Sequence, residues 1–228
     1  MNAPLSVPSS KLALLLVDLQ EEHRHDERYL AADYEAALAN AARLLAAARA
    51  HGAAVVHGQY IRDFSVEPPR PFEITGGNGE PGFSDASATA FVKLCPEVAA
   101  HEGETMIVKN DASCFTVETL AKSLKKKGVE WLVVAGAWTE ACVAATVRDA
   151  IAGGFRVLLV KDACASGTRL MHRTAVLNLA NRLLGGAVAD TDRAVTILSG
   201  GAAEVWRLQR MVPFRFDAEN LDGLYESL

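Results

Sequence analysis

The chain has 228 residues, of which 50% are hydrophobic, and a formal net charge of −5. That length suits a single domain over residues 1–228 with a substantial core, and the acidic balance gives no electrostatic footprint for nucleic acid or an anionic membrane surface. Met1 to Ser10 lacks the basic start and apolar core of a signal peptide, and no apolar run is long enough to span a bilayer, so a cytoplasmic protein is expected.

The four cysteines, Cys95, Cys114, Cys142 and Cys164, are scattered without a C-x-x-C pair, which predicts free thiols rather than a disulfide frame or a zinc site. Leu12 to Leu19 is a continuous β-prone run containing Asp18, and a strand this apolar requires cover on both faces. Glu21 to Asp33 is a charged loop with His23 and His25, followed by an Ala-rich helix from Tyr34 to His51 closed by Gly52. Ala53 to Ile61 reads as the second strand. From Arg62 to Ser87 the chain is irregular and rich in Pro and Gly, and its position after a strand predicts a loop that covers a site. Its Gly77-x-Gly79-x-x-Gly82 spacing is formally a dinucleotide fingerprint, but Pro81 interrupts the helix that would receive a pyrophosphate.

Glu104 to Asn110 is the third strand and carries Lys109. A helix is predicted over Phe115 to Lys126; its closing lysines, Lys125 to Lys127, sit before Gly128, where the helix dipole favours cations. Trp131 to Ala137 is the fourth strand, Glu140 to Ile151 a helix, Arg156 to Lys161 the fifth strand. Leu170 to Leu184 is amphipathic, Ala187 to Ala189 is a short last strand, and Asp190 or Thr191 caps a helix through Leu198. The tail over residues 200–228 is apolar for an end segment and is expected to pack on this protomer or on a neighbour in a homo-oligomer.

Strands alternating with helices make an open, mostly parallel sheet with helices on both faces, and ligands of such α/β folds lie beyond the C-terminal ends of the strands. Asp18, Lys109 and Cys142 all come from that rim. Cys142 falls in the first turn of the helix after Trp131 to Ala137, where unpaired N–H groups and the dipole favour a thiolate. Lys109 would stabilise that thiolate, and Asp18 would hold Lys109 charged and pass a proton. Each has a plainer explanation: a loop-capping acid, a surface ion pair, a packing thiol. A nucleotide-binding module and a protein with exposed redox thiols are the rival classes.

These same stretches resemble a known family. Leu14-Leu15-Leu16-Val17-Asp18-Leu19-Gln20, Val108-Lys109 followed by Ser113 and Phe115, and Gly136-Ala137-Trp138-Thr139-Glu140-Ala141-Cys142-Val143 with Asp149-Ala150 and Asp162-Ala163 are similar to the isochorismatase-like cysteine hydrolases. The resemblance implies a six-stranded, mostly parallel sheet, an Asp-Lys-Cys triad at Asp18, Lys109 and Cys142, a cis peptide at Ala137–Trp138, and an oxyanion hole made by the N–H groups of Trp138 and Cys142. Members that cleave isochorismate do not need the thiol, so Cys142 points to the amide-cleaving branch.

The Asp-x-His and His metal set of nicotinamidase-like members has no counterpart around His57-Gly58-Gln59, so neither metal nor cofactor is expected. The family places an aromatic residue shortly after Gln20, where this chain has Glu21-Glu22-His23-Arg24-His25. The run from Met171 to Leu183 is similar to the biuret, triuret and ureidoacrylate hydrolases. That likeness implies a small amide or ureido substrate, with N-carbamoyl amino acids and maleamate as alternatives. Gln20, Gln59, Asn110, Phe115, Glu140 and Arg173 are the candidate substrate contacts, the polar ones by hydrogen bonding to amides and carbonyls. Arg173 equally suits a salt bridge at a helix start.

Overall fold

Leu12–Val17 is apolar at every position because both of its faces are buried: Leu14 and Leu16 pack into one core, Leu15 and Val17 into another. The computed structural model describes residues 2–228. Its strands in chain order are β1 (Asn2–Leu5), β2 (Leu12–Val17), β3 (Ala54–Tyr60), β4 (Thr105–Lys109), β5 (Trp131–Ala137), β6 (Arg156–Ala165), β7 (Ala187–Ala189) and β8 (Ala203–Arg207). The helices are α1 (Glu22–His25), α2 (Tyr34–His51), α3 (Thr119–Lys126), α4 (Ala144–Ala152), α5 (Arg169–Ala180), α6 (Thr191–Leu198) and α7 (Leu221–Glu226). Among the described residues no helix is long and apolar enough to cross a membrane.

All strands join one sheet in the order β1-β8-β7-β6-β5-β2-β3-β4. The strands from β2 to β7 pair in parallel, as expected. The sheet nevertheless has eight strands rather than six. The two additional strands come from the chain ends: β8 lies antiparallel to β7, and β1 antiparallel to β8. Both are short, and β1 carries Pro4, which an edge strand tolerates because it need not donate on both sides. Neither has the long apolar run of a strand buried on both faces, which is what sequence periodicity detects.

Helices α2 and α6 supply Leu38, Leu44, Leu45 and Ile197 to one core; α3, α4 and α5 supply Leu120, Val147, Val176 and Leu177 to the other. After β8 the tail folds back over α5: Asn181 bonds the backbone of Phe214 twice, at 2.9 and 3.0 Å, and Leu221 and Leu228 are buried. The helix expected over Phe115 to Lys126 begins later, because Cys114–Thr116 forms one tight 3-10 turn capped by the Ser113 hydroxyl.

Chain direction reverses across the sheet between β2 and β5. From β2 the chain proceeds outward through β3 to β4, then returns to β5 and proceeds the other way. This is the switch point at which open α/β sheets place their ligands. At its rim β5 passes very close to β2: a Cβ on Gly136 would lie 2.1 Å from the Val17 carbonyl oxygen, and Gly136 has φ 147. Only glycine permits that approach.

Candidate active site

Asp18 follows β2 with φ 51, a left-handed conformation that Asp tolerates better than most residues. Lys109 closes β4, two strands away. Across the intervening β3, Lys109 Nζ reaches Asp18 Oδ2 at 2.6 Å. Lys109 also donates to the Asp111 carbonyl at 3.1 Å and lies over the Tyr60 ring, 4.6 Å from its centroid. The other carboxylate oxygen, Oδ1, is buried without a hydrogen-bond partner.

Cys142 sits beside this pair, on a turn rather than in the α-helix expected from the sequence. Thr139–Val143 is a single π-helical turn that runs into α4. The Ala137–Trp138 peptide bond before it is cis. The Thr139 hydroxyl donates to the Ala165 carbonyl at 3.0 Å and meets His172 Nδ1 at 2.8 Å, while His172 Nε2 meets the Tyr225 hydroxyl at 3.0 Å. The turn is thereby tied to β6, α5 and α7.

The electrostatics differ from the thiolate expected at a helix start. Burial, with the adjacent Asp18 charge, pushes the Cys142 thiol up despite the opposing Lys109 ammonium. Burial also raises the Asp18 carboxyl, against the pull of Lys109. Although burial disfavours the Lys109 ammonium, the Asp18 charge beside it raises its pKa and keeps it charged. A neutral thiol beside a carboxylate is an arrangement in which the base can take the thiol proton as the sulfur attacks. No standing thiolate is required.

Cys142 and Asp18 open into a cleft of about 330 Å³ whose walls are His23, Tyr29, Phe83 and Trp138, with Arg28 at its exposed end. His23 is driven to about 4 by burial, so it stays neutral, and Trp138 Nε1 lies 3.3 Å from its Nδ1. Phe83 comes from the long loop after β3, as a site-covering loop requires. The loop is anchored by the Tyr29 hydroxyl donating to the Gly82 carbonyl and by Ser84 donating to Glu22. Its glycine-rich tip is a bridged turn, Thr75 opposite Pro81, and no helix follows it. His23 and Tyr29 fill the place where an aromatic was expected soon after Gln20.

The six candidate substrate contacts lie outside this cleft. Gln20 is buried and bonds the backbone of Tyr60 and Val92, and Gln59 also donates to the Val92 carbonyl at 2.7 Å. Asn110 donates to Glu67, Phe115 packs on Phe155 with centroids 5.8 Å apart, and Glu140 accepts from Ser166. Arg173 pairs with Asp222 and lines a different cavity, of about 350 Å³. The polar ones each spend at least one side-chain group on a bond within the fold, which spacing along a strand cannot reveal. His57 is likewise a buried residue on β3, bonded to Glu104 at 2.8 Å. The sequence reading missed Arg28, Tyr29 and Phe83; the only signal was two aromatics within otherwise polar, irregular segments.

An open parallel sheet with a cleft beyond the ends of its central strands is the architecture of a small-molecule α/β enzyme. Residues 12–193 match the family model of the Isochorismatase domain, and the chain belongs to the isochorismatase family of hydrolases. It is 33% identical over 157 residues to the maleamate amidohydrolase of Pseudomonas putida, covering 67% of this chain and 71% of that protein. It is 26% identical over 201 residues to the ureidoacrylate amidohydrolase of Variovorax paradoxus, covering 77% of each. Among solved structures, an isochorismatase-family hydrolase from Chromobacterium violaceum superposes with a TM-score of 0.68 at 28% identity, over 87% of this chain and 98% of that one.

Proposed function

We propose that the protein is a cysteine-dependent amidohydrolase that cleaves the C–N bond of a small linear amide or ureido compound and releases ammonia. The observation that carries this reading is the Asp18 carboxylate in contact with the Cys142 thiol, at the floor of a cleft and held by a buried Lys109. The similarity to two amidohydrolases supports the reaction class.

In this mechanism Asp18 Oδ1 takes the thiol proton as Sγ attacks the substrate carbonyl, so charge moves only between groups already in contact. Lys109 offsets the negative charge throughout. The oxyanion is received by the N–H groups of Trp138 and Cys142; one such donor is worth about 3–4 kcal/mol in enzymes where it has been removed. Collapse of the tetrahedral adduct breaks the C–N bond, and Asp18 returns the proton to the departing nitrogen. A thioester, or a thiocarbamate from a ureido substrate, remains on Cys142. Water then gives a proton to Asp18 and its oxygen to the acyl carbon, and the thiol leaves and is reprotonated.

The test is an ammonia-release panel covering biuret, triuret, ureidoacrylate, N-carbamoyl amino acids, nicotinamide and maleamate, with intact-mass analysis of acid-quenched turnover mixtures. Release from at least one compound, with an acyl or carbamoyl mass mapped to Cys142, is expected. Full turnover without any adduct, retained in Cys142→Ala, overturns the mechanism.

A further inference from the structure

We infer that Arg28 is the subsite for a carboxylate carried by the substrate, so that the preferred substrates are short amides or ureides bearing a terminal acid group. The inference rests on the amidohydrolase reading for the reaction and on the geometry of the cleft for the acid.

The polar chemistry of the cleft is concentrated at its two ends. At the floor are Cys142 and Asp18, which act on the amide. The walls between are Tyr29, Phe83, Trp138 and a His23 that burial keeps neutral. Arg28 is the one lining residue that carries a positive charge, and it stands at the exposed end. Such walls suit the flat, apolar middle of a small molecule and offer a carboxylate nothing. At about 330 Å³ the cleft lies at the lower end of the range for ligand sites, which limits the substrate to a short chain.

The guanidinium is also preset. Asp26 takes its Nε and Nη2 groups, at 3.0 and 2.7 Å, and accepts the Arg28 backbone N–H at 3.0 Å. The Tyr29 ring supports it at 5.2 Å. Neither Asp26 contact uses Nη1, so the second edge of the fork remains for another oxyanion. A planar guanidinium fixed along one edge binds a carboxylate along the other with little further ordering cost. A neutral ureide such as biuret or triuret leaves that edge unused, whereas a monoamide of a dicarboxylic acid or an N-carbamoyl amino acid engages it while its amide carbonyl lies at Cys142.

The test compares a monoamide of a four-carbon dicarboxylic acid with its neutral diamide, in the wild type and in Arg28→Gln. The wild type is expected to prefer the monoacid at least tenfold in kcat/KM. Arg28→Gln is expected to lower that preference at least tenfold, chiefly through KM. A preference that survives the substitution overturns the inference. A second measurement needs no turnover: the alkylation rate of Cys142 by two- and four-carbon halo acids relative to their amides. The acid-to-amide ratio is expected to fall about fivefold in Arg28→Gln for at least one length. Unchanged ratios at both lengths overturn the subsite. A changed ratio in a protein that hydrolyses no amide instead overturns the amidohydrolase reading and leaves the anion subsite standing.

Discussion

Cys142 and Cys114 both lie in the field of the same Asp18–Lys109 pair. Burial is the largest influence on both thiols, Asp18 raises both, and Lys109 lowers both; Cys114 is pushed up to about 12. Their difference is spatial. Cys142 lines the cleft, whereas Cys114 is wholly enclosed under β3, with its backbone N–H bonded to Thr146 at 3.0 Å. Two thiols in nearly the same field teach that acidity does not distinguish them; access to the cleft does.

The largest expected effect breaks that symmetry directly. Cys142→Ala lowers turnover by on the order of 10³-fold or more, because no other group on the cleft side can form the covalent intermediate. Cys114→Ala leaves kcat within about threefold and costs about 1 kcal/mol of stability through the small cavity it opens. Steady-state rates and thermal melts on both variants measure this; a dead Cys114→Ala that remains folded reverses the assignment.

Asp18→Asn separates acidity from catalysis. In the proposed mechanism Asp18 is the general base, a role expected to account for about 10²–10⁴-fold in rate. Yet its charge raises the pKa of both thiols, so its removal shifts the pH dependence of Cys142 alkylation to lower pH. The variant should be slower as a hydrolase and faster as a target of iodoacetamide near pH 8. An alkylation profile that stays in place or moves upward contradicts the electrostatic account.

Much of this arrangement is legible without coordinates. The apolar run at Leu12–Val17 announces a strand covered on both faces, and strand-helix alternation puts Asp18, Lys109 and Cys142 on one rim. What pattern cannot supply is long-range pairing. Nothing in Ala203–Arg207 says that it will meet Asn2–Leu5 across the sheet edge. The Tyr29 and Phe83 rings lie 5.4 Å apart in space but come from separate loops. The candidate substrate contacts failed to reach the cleft for the same reason: Gln20, Gln59 and Asn110 have suitable chemistry, but backbone and side-chain partners distant in sequence take it up. The π-helical turn at Thr139–Val143 also has no periodicity signature, since it is a local change in backbone hydrogen bonding.

Buried titratable groups also stand around the cleft, and pH tests what they contribute. His23 falls from 6.5 to about 4 on folding, so between those values the unfolded chain holds a proton that the folded one does not, and stability falls as pH falls through the window. His172, bonded to the turn that carries Cys142, is lowered by burial to about 4 and acts in the same direction. Glu22 opposes both: burial raises it from 4.5 to about 7, so its contribution is present below 4.5 and lost as pH rises to 7. Removing it in Glu22→Gln should make the loss of stability from pH 7 down to 4.5 steeper by about 2–3 kcal/mol than in the wild type. Denaturant melts at pH 7, 5.5 and 4.5 read this, and parallel curves would show that Glu22 is not protonated in the fold.

The smallest effect concerns how the sealed side stays sealed. A Cβ on Gly58 would stand 2.7 Å from Cys114 Sγ, 3.4 Å from the Leu16 carbonyl oxygen and 3.8 Å from Asp18 Oδ1. Only the first is a clash, and its partner is a side chain that substitution can shorten. Gly58→Ala should therefore cost about 1–3 kcal/mol by overpacking. In the double variant Gly58→Ala, Cys114→Ala the new methyl occupies the space left by the sulfur, and the two costs should fall short of additivity by about 1 kcal/mol. Strict additivity would mean that the sulfur is not what fixes glycine at this position. The coupling also tests the mechanism, because the added methyl stands nearer to Cys114 than to Asp18. If the sealed thiol is only packing, the double variant keeps near-native turnover; if turnover drops while stability recovers, the enclosed side of the Asp18–Lys109 pair takes part in holding the acid at its working position.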